Sequence, residues 1–88
     1  MTTDRIPSQW VLVRSPGHWV HCGILEHRDA SEIRLRSAVN ILRWRDGQGV
    51  AGLLAGPGPE RVAQYVGTLV ITNGAGVIVY EDATPWVL

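Results

Sequence analysis

Residues 19–45, WVHCGILEHRDASEIRLRSAVNILRWR, decide the fold of this 88-residue chain. The stretch contains three runs of residues typical of β-strands, at 19–26, 32–36 and 39–45. The first two runs are joined by residues 27–31, His-Arg-Asp-Ala-Ser, a short polar segment of the kind that closes a hairpin. The stretch therefore predicts consecutive strands that pair with one another.

The alternation of residue types assigns a face to each side chain of the first run. Val20, Cys22 and Ile24 share one face, and the opposite face carries Trp19, His21, Gly23 and Leu25. Because Gly23 has no side chain, a neighbouring strand or a bend can come close there. The pattern predicts a strongly bent meander.

The rest of the chain continues the β pattern. Further strands are predicted at 10–14, near 62–65, at 68–73 and at 77–81, with turns at 15–17 and 73–76. Residues 50–55 are predicted to form one or two helical turns, which end at Gly56-Pro57-Gly58-Pro59. We therefore expect a mainly β protein, a small bent-meander barrel of the SH3/Sm-like kind with about six strands and one short helical turn. Residues 1–9 are expected to form a flexible arm, and residues 10–88 a single β domain.

The composition favours association between copies of the chain. Apolar residues make up 45% and charged residues 18%, whereas a domain of this size buries only about 60–65% of its extended surface. Residues 68–72 and 77–80 are apolar on both faces, so we expect their second face to meet another subunit of a homo-oligomer. The terminal Trp86 is expected to dock on its own barrel or on a neighbour.

Charge and cysteine content restrict the environment and the partners. The net charge is zero, and all eight basic residues are arginines, so general nucleic-acid binding, which needs a basic excess, is not expected. Cys22 is the only cysteine, which indicates a reducing compartment. No apolar signal core or membrane-length run is present, so the expected location is cytoplasmic.

Two motif-like patterns are weaker candidates for a site. Residues 47–52 match G-x-G-x-x-G, but the following segment is broken by Gly56-Pro57 and no βαβ unit surrounds it, so a flexible turn is favoured over a dinucleotide site. A histidine and cysteine cluster, formed by His18, His21, Cys22 and His27, has the composition of a metal site. His21 and Cys22 point to opposite faces of a strand, which argues against one tetrahedral site.

The sequence offers little for catalysis. The serines lie in polar turns and none is surrounded by a nucleophile motif. We therefore expect a protein that binds without catalysing a reaction, and no cofactor or metal.

A grouping of arginines around an indole is the strongest candidate for a ligand site. Arginine forks suit phosphates, an aromatic face suits a base, and an amide suits the polar edge of that base. The candidate ligand-binding residues are Arg14, His21, Asn40, Arg43, Trp44, Arg45 and Tyr65. The alternative is that Trp44 is a core residue or an oligomer anchor and that the arginines are solvated.

Residues 20–41 resemble the first half of Sm/SH3-like barrels. The resemblance lies in the spacing Val20-x-x-Gly23-x-Leu25 and, after a hairpin, in Ile33-x-Leu35-x-x-Ala38-x-x-Ile41. Members of that group form rings and often bind RNA. The resemblance implies, as one alternative, a module that contacts RNA or a protein partner.

A second resemblance covers residues 10–81. The chain resembles a family of short phage and prophage proteins in four segments. These are the strand 10–14, the hairpin strand 20–25, the spacing Leu35-Ala38-Ile41-Trp44 and the Gly-containing segment 49–57. Their layout is similar to that of phage anti-Thoeris sponges, small oligomers that trap cyclic ADP-ribose-type signals without cleaving them. The resemblance implies an anti-defence protein of the host cytosol that sequesters a small nucleotide in a pocket at a subunit boundary. A structural phage assembly component is a further alternative.

Overall fold

The structure, a computed structural model, describes residues 9–17, 19–44, 53–54 and 61–86, without the side chains of residues 43, 44 and 61. The described strands are β1 (Trp10–Ser15), β2 (Trp19–Arg28), β3 (Glu32–Trp44), β4 (Arg61–Thr72) and β5 (Ile78–Tyr80). They form one antiparallel sheet in the order β4-β3-β2-β1-β5. The predicted mainly β fold is confirmed. The sheet is open, with β4 and β5 at its two edges, so the predicted barrel closure and sixth strand are not seen among the described residues.

Two pairs of predicted strands are in fact two long strands. The runs at 32–36 and 39–45 are joined in β3, and those at 62–65 and 68–73 are joined in β4. A bend at the same level of both strands explains the interruption in the sequence pattern. Ser37 has a φ of 53°, and the adjacent Ala38 pairs with Gly67, whose φ is 92°. The register shifts on either side of this pair, and such bulges bend a strand without ending it.

The bend divides the interior into two clusters on opposite faces of the sheet. We call the face that bears Val11, Val13 and Leu35 the front face, and the one that bears Leu12, Cys22 and Val39 the back face. The front cluster is completed by Ile33, Ala38 and Ile71, and the back cluster by Val20, Ile41, Leu53, Ala83 and Trp86. The central strands are therefore buried on both sides within one copy of the chain.

Residues after the last strand cover the back face. The backbone N–H of Ala83 donates to the carbonyl of Trp10, and that of Thr84 donates to the carbonyl of Leu54. Trp86 is 1% exposed, and its indole Nε1 donates a 3.0 Å hydrogen bond to the carbonyl of Leu53. The sequence left open whether Trp86 docks on its own barrel or on a neighbour, and the structure places it within its own domain.

The helical and terminal segments are described only in part. Of the predicted helical turns at 50–55, the structure describes Leu53 and Leu54, which are 3₁₀-helical. Of the predicted arm at 1–9, it describes Gln9 alone. Within the described part of the chain, no helix has the length and apolar character needed to cross a membrane.

Asp29 organises the β2–β3 hairpin. Its Oδ1 accepts hydrogen bonds from the backbone N–H of Ser31 and Glu32 and from the Ser31 hydroxyl, and its Oδ2 lies 2.7 Å from His27 Nε2. These partners, His27 first among them, lower the pKa of the Asp29 carboxyl. The side-chain amide of Asn73 donates to the Asp29 carbonyl over 2.7 Å, so this turn also holds the end of β4.

Candidate functional site

One row of directly paired residues crosses all five strands on the front face. The row runs from Gln64 on β4 through Asn40 and His21 to Val13 and Val79. Opposed residues of an antiparallel sheet place their side chains on the same face. The row therefore brings three polar side chains, on β4, β3 and β2, next to the apolar front cluster. We call Gln64, Asn40 and His21 the polar row.

Trp19 stands beside this row, two residues from His21 on the same face of β2. The indole and imidazole planes are within 6° of parallel, and their ring centroids are 6.1 Å apart, within the range of favourable aromatic pairs. Trp19 is 53% exposed, while His21 is 9% exposed. The indole therefore presents a large apolar surface to solvent beside three groups that can form hydrogen bonds.

Two further apolar side chains lie near the polar row. Leu42 follows Asn40 by two residues on β3, and Val62 precedes Gln64 by two residues on β4; both are exposed. Together with Trp19 they make this end of the sheet unusually apolar for a solvent-facing surface. Such a surface, with a few polar groups among apolar ones, has the composition of a binding site.

His21 is the least satisfied polar group of this surface. Its Nδ1 is enclosed and has no hydrogen-bond partner among the described residues. Burial lowers the pKa of the imidazole below its ordinary value of 6.5, so the ring is neutral at neutral pH. A buried polar atom without a partner costs about 1–3 kcal/mol. This unpaired nitrogen therefore disfavours the folded state.

Replacing His21 is expected to stabilise the domain, most strongly in mild acid. In the wild type, stability is fully present above the unfolded-state pKa of about 6.5 and is lost as pH falls towards the lower folded-state pKa. His21→Leu removes both this proton linkage and the unpaired nitrogen, so we expect a gain of about 1 kcal/mol at pH 7 and a larger gain at pH 5.5. Urea unfolding at the two pH values measures it.

The comparison between the two proteins isolates His21 from the other titrating groups. The Asp29 carboxyl also has a lowered pKa, but its contribution begins to disappear only below about pH 3.9. A His21→Leu protein whose stability falls between pH 7 and 5.5 as steeply as that of the wild type would contradict the assignment.

The structure brings together only some of the residues chosen from the sequence. His21 and Asn40 are direct cross-strand partners on the front face. Tyr65 pairs with Val39 and so lies on the back face, where it is 63% exposed. It is therefore separated from Asn40 by the sheet itself, because neighbouring residues of β4 point to opposite faces.

Arg14 also lies on the back face, because it pairs with Val20 on β2 and with Ile78 on β5. It borders a shallow depression of about 320 Å³. The depression is lined by Arg14, Ser15, Pro16, Gly17, Gly76 and Ile78.

Arg43 and Trp44 are the last two residues of β3, paired with Val62 and Arg61 of β4. Their side chains lie outside what the structure describes. Arg45 and the G-x-G-x-x-G segment at 47–52 lie outside the described residues altogether. Of the predicted Arg–Trp–Arg grouping, the backbone of Arg43 and Trp44 lies at the same end of the sheet as the polar row.

Sequence reasoning missed two members of the surface, Trp19 and Gln64. Trp19 could have been found from the sequence, because it lies two residues before His21 and therefore on the same face of the strand. Gln64 gave one signal, because it is the single amide side chain within the uncharged run 62–72. Its position opposite Asn40 depends on the register between β3 and β4, which the sequence does not specify.

Cys22 and His21 point to opposite faces, as the alternation predicts. Cys22 is fully buried in the back cluster, and burial raises the pKa of its thiol to about 12, so it is a core residue and a poor nucleophile. Within the described ranges, no three His, Cys, Asp or Glu side chains are grouped closely enough to hold a metal ion.

Comparison with protein-family models, with curated proteins and with solved structures gives no match for this chain. The geometry of the front face is therefore the basis for assigning a function to this chain.

Proposed function

We propose that this chain is a non-enzymatic, homo-oligomeric protein that binds and sequesters a small nucleotide, with the base held on the front face beside Trp19 and the polar row. One observation carries the proposal. A half-exposed indole, parallel to a buried imidazole, shares the front face with two amide side chains on the neighbouring strands β3 and β4.

The chemistry of this surface matches that of a nucleobase. A base has a flat π-face, which stacks favourably on an indole, and polar edges that need both donors and acceptors. The amides of Asn40 and Gln64 each supply a donor group and an acceptor group. Neighbouring strands are about 4.8 Å apart, so the two amides are spaced to contact one ring system.

The phosphates would be bound by the arginines that follow Asn40 along the chain, Arg43 and Arg45, with Trp44 as a second stacking ring. The proposal does not use Tyr65 or Arg14, because both lie on the back face. The sequence resemblance to phage anti-Thoeris sponges makes cyclic ADP-ribose-type immune signals the first ligands to test, and anti-defence the biological role.

Removing the stacking surface is expected to abolish most of the affinity. Base–aromatic stacking contributes about 1–3 kcal/mol per base, so Trp19→Ala should weaken binding by about 10- to 100-fold, while Trp19→Phe should retain part of it. Calorimetric titration with a panel of cyclic nucleotides and ADP-ribose derivatives measures both.

Ile78→Ala is the matched control, because Ile78 is similarly exposed, at 44%, and lies on the back face. The Ile78→Ala protein should bind the nucleotide with the same affinity as the wild type. If none of the panel binds the wild-type protein, or if Trp19→Ala binds as well as Ile78→Ala, the nucleotide site is not on this face.

The second candidate is an Sm/SH3-like module that contacts RNA or a protein. It is favoured by the exposure of two aromatic side chains, Trp19 and Tyr65, on opposite faces of the sheet, since exposed rings stack single-stranded bases. Affinity for single-stranded RNA that falls steeply with salt concentration would support this candidate over the sponge. A structural phage assembly component predicts a large oligomer without a ligand.

A further inference from the structure

Strand β4 has an edge that no described residue covers. It pairs with β3 along one side and stands at the end of the sheet. Residues 62–72, VAQYVGTLVIT, contain no charged residue and no proline. Long uncharged edges offer a row of backbone N–H and C=O groups to another strand, and proteins usually protect them with charges, prolines or bulges.

The second half of β4 is symmetric in a way that suits pairing with itself. Residues 68–72 read Thr-Leu-Val-Ile-Thr. In an antiparallel pair of two copies centred on Val70, Thr68 of one copy lies opposite Thr72 of the other, and Leu69 lies opposite Ile71. Thr–Thr pairs and pairs of large aliphatic residues are favourable across antiparallel strands.

The surroundings of residues 68–72 are compatible with that register. Their pairing with β3 is regular between Leu69 and Thr72. Leu69 and Ile71 pack in the front cluster, so the pair would extend this cluster into the second copy. Val70 is 52% exposed and would meet its symmetry mate. The first half of β4 is less suitable, because the register shift next to Gly67 interrupts the edge at Val66.

Charge favours a second copy of the chain over a charged partner. An acidic or basic segment gains no ion pair from residues 62–72, whereas two copies meet without repulsion along the strand. The nearest charge on the Val70 row is Arg34, which forms a 3.3 Å ion pair with Glu32. Across the seam the two Arg34 residues would be three strand spacings apart, about 14 Å, which exceeds the Debye length in physiological salt.

We propose that two copies of this chain associate through antiparallel pairing of their β4 edges, centred on Val70, into a continuous ten-stranded sheet. A pair of five-residue segments buries less surface than a standard protein interface, which buries about 800 Å² per partner. The dimer therefore exchanges with monomer at concentrations on the order of micromolar. The proposal is independent of the nucleotide site.

A charge swap at the symmetry centre tests the register. In Val70→Lys and Val70→Glu, two like charges face each other, which disfavours the pair, so each variant should be monomeric in light scattering at concentrations where the wild type is dimeric. An equimolar mixture of the two should restore a dimer with one copy of each, which native mass spectrometry resolves. Val62→Lys, on the same strand outside the paired segment, should remain dimeric.

A cross-link gives an independent measurement. Val70→Cys places two thiols on the two-fold axis, within the Cα separation that a disulfide accepts, so mild oxidation should produce a covalent dimer. Val62→Cys should remain uncross-linked, and the buried Cys22 thiol, with its pKa raised to about 12, does not compete. A wild type that stays monomeric at 100 micromolar (about a hundredfold above the expected dissociation constant), or a mixture of the charge variants that stays monomeric, would overturn the proposal. Circular dichroism confirms that each variant is folded.

Discussion

Trp86→Ala is expected to remove most of the stability of the domain. Trp86 is the largest fully buried side chain among the described residues, and replacing a buried tryptophan by alanine costs about 3–5 kcal/mol. Small domains have a free energy of unfolding of about 5–15 kcal/mol, so the variant should unfold at a much lower urea concentration. Circular dichroism is the appropriate probe, because the substitution removes a fluorophore.

The size of this effect has a structural reason. The indole fills the back cluster between the sheet and the 3₁₀ turn at Leu53, and its N–H satisfies the Leu53 carbonyl. Trp86→Phe keeps most of the buried surface but leaves that carbonyl without a donor, so it should cost about 1–3 kcal/mol. If the indole contributed packing alone, the free energy of unfolding of the phenylalanine variant would instead be close to that of the wild type.

Trp19→Ala is the matched control, with the same chemical change at a half-exposed position. Its effect on the free energy of unfolding should be no more than about 1 kcal/mol. If Trp86→Ala is as mild as Trp19→Ala, the segment 83–86 does not hold the back face as described.

Gly23→Val is expected to prevent the bend of the sheet from forming. A Cβ atom at residue 23 would lie 3.1 Å from the Ala38 Cα and from the Arg36 carbonyl oxygen, both of which are backbone atoms of β3. Backbone atoms cannot turn aside as a side chain does. Gly23→Ala should therefore cost about 1–3 kcal/mol, and the two additional methyl groups of valine should cost more. Thermal unfolding of the two variants measures whether valine destabilises the domain more than alanine does.

Gly74→Ala is the control for the change of residue type, because a Cβ at residue 74 meets nothing within 4 Å. It should change the free energy of unfolding by no more than about 0.5 kcal/mol. Adding Ala38→Gly to Gly23→Ala removes one of the close contacts, the Ala38 Cβ at 3.2 Å, and should restore only part of the loss. Full recovery would show that the backbone contacts do not limit the approach.

Several features of the fold follow from local patterns and could be predicted from the sequence. The alternation in residues 19–26 predicted the opposite faces of His21 and Cys22, and the missing side chain of Gly23 predicted the close approach of a neighbouring strand. The polar segment 27–31 predicted the hairpin, although the role of Asp29 as its organiser was missed. That role depends on the positions of the Ser31 and Glu32 N–H groups, which exist only once the turn has formed.

The candidate site was predictable only in part, because it depends on which residues are opposed across strands. His21 and Asn40 were both selected, and they are partners. Tyr65 was selected as well, but the register between β3 and β4 puts its neighbour Gln64 on that face. A shift of one residue moves every side chain of a strand to the other face, so a site composed of several strands is sensitive to register.

The sequence by itself determined the β class, the hairpin, the faces of β2 and the closeness of strands at Gly23, because each depends on neighbouring residues and on the two-residue period of a strand. Only the tertiary structure decided that β3 and β4 continue through a bend, that β5 pairs with β1, and that Trp86 closes the back face. These features depend on contacts between residues that are distant in the chain. Local sequence patterns do not indicate the free energy of such contacts.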